Sequence, residues 1–151
     1  MIKRAPLLAE LVYREINEAG CAASSALAER IRVTYNELFY ALDRLRKEGR
    51  VEAVSLGRAA FWCINSAVAE AVLAKLNEAL KSLLCRRNRF TTPKEVLQLV
   101  AEDKEMRKLF SRHMTLRPNP ATIQLIDALM IRAFGKPIRR SRNHIYIIQC
   151  L

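Results

Sequence analysis

Tyr35, Asn36, Tyr40, Arg44 and Lys47 fall within one turn-rich stretch and recur at steps that place them along one side of a helix. These residue types can read and hold a polyanion. An asparagine amide can pair in a bidentate manner with adenine, and a tyrosine can meet a phosphate or a thymine methyl. Arg44 and Lys47 would bind phosphates, joined by Arg58 a little further on. A second grouping is denser: Lys136, Arg139, Arg140, Arg142, Asn143 and His144 cluster around one predicted turn. Several guanidinium groups on a projecting turn suit phosphates or a narrow minor groove. A third, Arg86-Arg87-Asn88-Arg89, precedes Thr91. Each neutralised phosphate steepens the salt dependence of binding by about one unit of log–log slope. The plain alternative is that these are solvated helix faces and a solubilising turn. Glu37 and Asp43 beside the first grouping would repel phosphate.

Positioning the first grouping requires a helix over residues 35–48. Leu38, Leu42 and Leu45 form its apolar stripe, with Asn36, Tyr40, Asp43, Arg44 and Lys47 on the other face. Thr34 and Glu37 have capping-box spacing, and Gly49 supplies a left-handed stop. A shorter helix fits 24–32, with a break at 33–34. Two β-rich runs follow, 50–55 and 58–65, turning over at Leu56-Gly57, with Val51, Ala53, Phe61 and Cys63 as the apolar positions. Leu42 and Leu45 three apart, Gly49 four later and Val51 after it resemble the winged helix-turn-helix superfamily, over roughly residues 6–64. Archaeal and prokaryotic DNA-binding regulators are its commonest members. The resemblance implies that helix 35–48 faces a DNA major groove and that the hairpin meets the flanking backbone.

The remainder reads as a connecting helix and a divergent second copy. Ala69, Leu73, Leu76, Leu80 and Leu83 within 66–84 follow coiled-coil spacing. That seam serves either internal packing against the hairpins or a homodimer through Leu73, Leu76, Leu80 and Leu83. Helices are predicted over 93–102, where Pro93 opens the first turn, and over 121–134, where Asn119-Pro120 opens and Gly135 with Pro137 closes. Residues 104–113 either extend the earlier helix or form another turn. A hairpin is predicted from 138–142 and 144–151. The expected fold class is therefore mainly α with short β-hairpins (α+β): a winged-helix domain 1–65, a connecting helix 66–88 and a second winged-helix-like domain 89–151.

Composition narrows the function. The 151 residues carry a net charge of +11, and half of them are apolar. The charge is uneven: +2 over residues 1–62, +3 over 63–90 and +6 over 91–151. No apolar run is long enough to span a membrane and no leader pattern opens the chain, so a cytoplasmic, nucleoid-associated protein is expected. No phosphate loop, nucleophile elbow or carboxylate cluster is evident, which argues against an enzyme. Cys21, Cys63, Cys85 and Cys150 stand apart from one another and from His113 and His144, so no metal site or cofactor is expected. Free buried thiols are the default in a reducing compartment. The winged-helix resemblance, however, implies that Cys21 approaches Cys63, and the repeat extends that logic to Cys85 and Cys150. Few glutamines and glycines with abundant Arg and Ala lean toward a thermophilic source, where intracellular disulfides occur. Two functions follow. The first is a double-stranded DNA-binding protein, either a transcription regulator or a chromatin or replication accessory. The alternative is a tandem winged-helix module that binds other proteins in a transcription, replication or chromosome-segregation complex.

Overall fold

A computed structural model describes residues 4–56, 59–85, 90–138 and 144–150. Its architecture follows from one run of residues. Strand β3 (Ala59–Cys63) ends in Phe61, Trp62 and Cys63, all buried. Consecutive strand residues point to opposite faces, so such a run needs a core on each side. β3 is the centre of an antiparallel sheet ordered β1-β3-β2, flanked by β1 (Cys21–Ala23) and β2 (Glu52–Leu56). Cys21 lies opposite Cys63, Ala22 opposite Trp62 and Ala23 opposite Phe61.

One face, Ala22 and Trp62, packs on three helices: α1 (Arg4–Ala19), α2 (Ser24–Ile31) and α3 (Tyr35–Lys47). These contribute Val12, Ile16, Leu27, Leu38, Leu42 and Leu45 to that core. The Trp62 indole N–H donates to Ser24 Oγ at 3.1 Å, so its polar edge is satisfied. The other face, Cys21, Ala23, Phe61 and Cys63, belongs to a larger core built by α4 (Ser66–Leu84), α5 (Pro93–Glu102), α6 (Lys104–Phe110) and α7 (Pro120–Phe134). The two halves of the chain therefore share one sheet. A smaller pair, β4 (Phe90–Thr91) with β5 (Tyr146–Ile147), closes the C-terminal half antiparallel.

Local chemistry sets the element ends. Thr34 and Glu37 form the expected capping box on α3, and Gly49 sits at φ +72°. Asn65, Thr92 and Asn119 cap α4, α5 and α7 in turn, with Pro93 and Pro120 in the first turns. Asp103 decides the case of residues 104–113. Its extended backbone ends α5, and its carboxylate accepts from Met106 N at 3.0 Å, so α6 is a separate helix. Gly20, at φ +83°, joins α1 to β1 where a Cβ would stand 2.9 Å from Val68 Cγ1, so both backbone and packing demand glycine.

Several expectations are corrected. The 16-residue α1 had no counterpart in the periodicity assigned. Leu56 is a buried strand residue and not part of a turn, while Gly57 and Arg58 lie outside the described residues. The second hairpin is short among the described residues: Ile138 N donates to Ile145 O at 2.7 Å, and β5 spans two residues. The leucine seam is filled from within. Leu73, Leu76, Leu80 and Leu83 are buried in the larger core, against α7, which is the internal packing that was one of the two uses offered for the seam. The thiols are not free: Cys21 bonds to Cys63 across β1 and β3, and Cys85 bonds to Cys150, tying the end of α4 to the C-terminal segment. With sequence separations of 42 and 65, each cross-link removes about 4 kcal/mol of chain entropy from the unfolded state. The first is buried, whereas Cys85 and Cys150 are exposed.

His113 locks the halves together. It is buried, its Nδ1–H donates to Cys21 O at 2.8 Å, and its own carbonyl accepts from Ala23 N at 2.7 Å. Burial holds its pKa below the usual 6.5, and the charges of Arg112, Arg30 and Lys75 push the same way, while the bond to Cys21 opposes them. The folded protein thus keeps His113 neutral. Its contribution is full above pH 6.5 and declines as pH falls from there toward the depressed folded value, because the unfolded state binds the proton first. Thermal melts at pH 7.5, 6.5 and 5.5 should show falling stability, and H113Q should flatten that slope. Parallel slopes in both proteins would refute the assignment. The carboxylates shifted by ion pairs, Glu10 and Asp43, titrate below this window. For the seam, L76E together with L80E should abolish the cooperative melt. A folded, smaller species on size-exclusion chromatography would instead restore an intermolecular seam.

Candidate nucleic-acid interface

α3 buries Leu38, Ala41, Leu42 and Leu45 and turns its opposite side to solvent. Tyr35, Asn36, Tyr40, Arg44 and Lys47 all lie exposed, with Tyr40 the most open at 74%. Their helical positions put Asn36, Tyr40, Asp43 and Lys47 at the middle of the free face, opposite Leu38 and Leu45. The spacing thus brings together the α3 residues singled out in the sequence. It did not flag Phe39, which is 45% exposed and stacks on Tyr35 with centroids 6.1 Å apart. A helical projection would have found it, since Phe39 lies only 60° from Asn36.

The charges on this face are spoken for. Asp43 takes Arg46 at 2.7 Å and Lys47 at 3.0 Å, and Glu48 takes Arg44 at 3.4 Å. Hydrogen bonds from Arg46 and Lys47 hold the Asp43 carboxyl below its ordinary range. The exposed face of α3 is therefore aromatic, amide-bearing and close to electroneutral. Such ion pairs in water contribute little to stability, so they can be exchanged for phosphates at small cost. Beside α3, Arg50 rests on the Tyr13 ring at 4.0 Å and pairs with Glu10, closing the edge between α1 and the sheet.

The second grouping divides. Lys136 is exposed, and His144 sits half-buried on α7 with Nδ1 3.0 Å from Asp127 Oδ1. The same carboxylate accepts from the buried Tyr146 hydroxyl, whose pKa is raised, chiefly by burial. His144 thus anchors the root of the second hairpin on α7. Arg139, Arg140, Arg142 and Asn143 lie outside the described residues, as do Arg58 and the knot of Arg86, Arg87 and Arg89. α7 itself is not presented as α3 is. It packs on α4 and α5 on one side and on β2 and β3 on the other. Among the described residues no group of three or more metal-ligating side chains is assembled. No helix among them is long and apolar enough to cross a membrane.

No protein-family model matches the chain, and no curated protein does. Its fold is similar to that in a crystal structure of a hypothetical protein from Pyrobaculum spherical virus. The TM-score is 0.89 at 18% identity, covering 97% of this chain and 96% of that one. At such identity the likeness is one of fold.

Cations missed in the sequence lie on α6. Acids and bases alternate over residues 102–108, a spacing that suits mutual pairing, yet Glu102 accepts from Gln98 and Asp103 caps α6. Among the described residues Lys104, Arg107 and Lys108 make no ion pair.

Were a polyanion to dock on α3, the pairing there would make Asp43 a brake on it. D43N frees Arg46 and Lys47 and should tighten binding to a 30-base-pair duplex several-fold at low salt, with an almost unchanged melting temperature. Equal or weaker binding would show that this face does not meet phosphate.

Proposed function

We propose that the chain is a double-stranded DNA-binding protein whose N-terminal half is a winged helix-turn-helix. The observation that carries this reading is the free face of α3, where Asn36 and Tyr40 stand exposed opposite a fully buried leucine stripe. The order α1-β1-α2-α3-β2-β3 with sheet order β1-β3-β2 supports it, as does the left-handed Arg32 (φ 61°) between α2 and α3. In this reading the N-terminal part of α3 enters a major groove, Asn36 meets an adenine edge, and the β2–β3 hairpin flanks the backbone. Arg44 and Lys47 exchange their carboxylate partners for phosphates. The C-terminal half is a divergent copy in which β4–β5 plays the part of β1–β3. Because its α7 is covered on two sides, that half serves as a platform and not as a second groove reader. The role is binding without catalysis or cofactor, on the nucleoid in the cytoplasm, as a transcription regulator or a chromatin or replication accessory.

A second reading is favoured by one observation, the aromatic group Tyr35, Phe39 and Tyr40 on a nearly neutral α3 face. Aromatic, weakly charged surfaces suit protein partners. In that case the same face docks a protein in a transcription, replication or segregation complex.

A salt titration on a random 30-base-pair duplex, beside the single strand and double-stranded RNA, separates the readings. The DNA reading expects a steep salt slope and a duplex-DNA preference. N36A should then erode sequence preference more than total affinity. No binding at low salt would favour the protein-docking reading, and equal loss from N36A on specific and random duplexes would remove its base-reading role.

A further inference from the structure

A concavity of about 1060 Å³ lies between α4 and α6 and is lined by Lys75, Lys108 and Arg112 together with Asp103 and Glu105. A second, about 600 Å³, lies between α2 and α6 and is lined by Arg30, Lys104, Arg107 and again Lys108. Lys108 stands on the shared wall, so the two concavities adjoin along α6. Arg117 also lines the second and is occupied by Glu29 at 3.0 Å. Seven cations therefore face three carboxylates across the pair. One of those carboxylates caps a helix and another is already paired. This is the reverse of α3, where every cation on the free face has a carboxylate partner.

The surface is built, not loose. The Arg30 guanidinium donates to the Ser111 carbonyl, so α2 and the end of α6 are joined at its centre. Met106 and Phe110 fix α6 on the core, which holds Lys104, Arg107 and Lys108 outward. The buried His113 beneath registers the field, since Arg112, Arg30 and Lys75 all oppose its protonation. Position matters as much as charge. Arg30 is on the last turn of α2, five residues before Tyr35, so it lies within about 18 Å of the start of α3. A B-form duplex engaged by α3 carries phosphates on both sides of a groove about 12 Å wide, which is within that reach.

We propose that α6 and the concavities beside it form a second phosphate-binding surface, taking the backbone of the same duplex DNA that α3 engages. Lys104, Arg107 and Lys108 supply the contacts, with Arg30 and Arg112 at the flanks. This rests on the DNA-binding reading of α3 but assigns most of the electrostatic affinity to the other half of the chain.

The test is a salt titration of duplex binding for the full chain, for K104A/R107A/K108A and, separately, for N36A/Y40A. All the substituted side chains are exposed, and melting temperatures verify folding. The α6 variant should bind at least ten-fold more weakly at 100 mM salt on every duplex, with a slope about 2 to 3 units shallower. K108Q alone, at the shared wall, should shift the slope by about one unit and serves if the triple variant does not fold. An unchanged affinity and slope in a folded α6 variant, with loss in the α3 variant, would overturn this proposal and leave the α3 reading standing. Loss in the α6 variant, with both affinity and sequence preference unchanged in N36A/Y40A, would keep the phosphate contacts on α6 but overturn their sharing a duplex with α3. A wild-type chain that binds no duplex at low salt would overturn both.

Discussion

Everything in this fold leans on a sheet that is buried on both faces. Three strands of three to five residues could not stand alone in water. Here they are the wall between two cores, with Trp62 committed to one and Phe61 to the other. The Cys21–Cys63 bond lies in that wall, and His113 clamps its edge from the C-terminal half by bonding the backbone of β1 at two points, Cys21 O and Ala23 N. A displacement of β3 by one residue would exchange Phe61 for Trp62 and disorganise both cores at once. The halves are thus mechanically one body, although their element orders are similar.

That shared wall explains why the two halves differ. The N-terminal half uses one side of the sheet and keeps α3 free outside. The C-terminal half must cover the other side, and it does so with α7, whose buried Leu125, Ile126, Leu129 and Met130 join the larger core. A helix that seals a neighbouring sheet cannot also enter a groove. The long α4 seam completes the seal, which is why its coiled-coil spacing is consumed within the chain. An apolar heptad stripe reports only that a helix has a partner, and the partner here is intramolecular.

Much of this was legible in residues that act locally. Thr34 with Glu37, Asn65, Thr92 with Pro93, and Asn119 with Pro120 each bear their cap in the sequence, and the ends of α3, α4, α5 and α7 fall within a residue of their expected places. What escaped depended on distant partners. α1 has weak turn and cap signals and is defined by the core it fills. Residues 104–113 could not be divided until Asp103 was seen to accept from Met106. The disulfide pairs, by contrast, were implied by the winged-helix resemblance and its repeat, while thiols in isolation argue for the reduced form. On the interface, the α3 face was read correctly as a set of exposed residues, but its internal neutralisation was not, since ion pairing depends on rotamers as well as spacing. The α6 cations were discounted for the opposite reason. Nearby acids in the sequence suit partners, but in the structure Asp103 caps α6 and Glu102 accepts from Gln98.

The distribution of charge then acquires a physical logic. Contacts to phosphate supply affinity and orientation but carry no sequence information, whereas base-edge contacts specify and contribute less to total binding. A helix intended to discriminate is better served by amides and aromatics with few free cations, since unpaired lysines on it would reward every sequence alike. α3, with Asn36 and Tyr40 open and its cations held by Asp43 and Glu48, has that composition. α6, whose Lys104, Arg107 and Lys108 make no ion pair among the described residues, has the complementary one. Joining both to one doubly buried sheet fixes the angle between them, so that under the proposed DNA binding, affinity gained on one side would be available only when the duplex also lies correctly on the other.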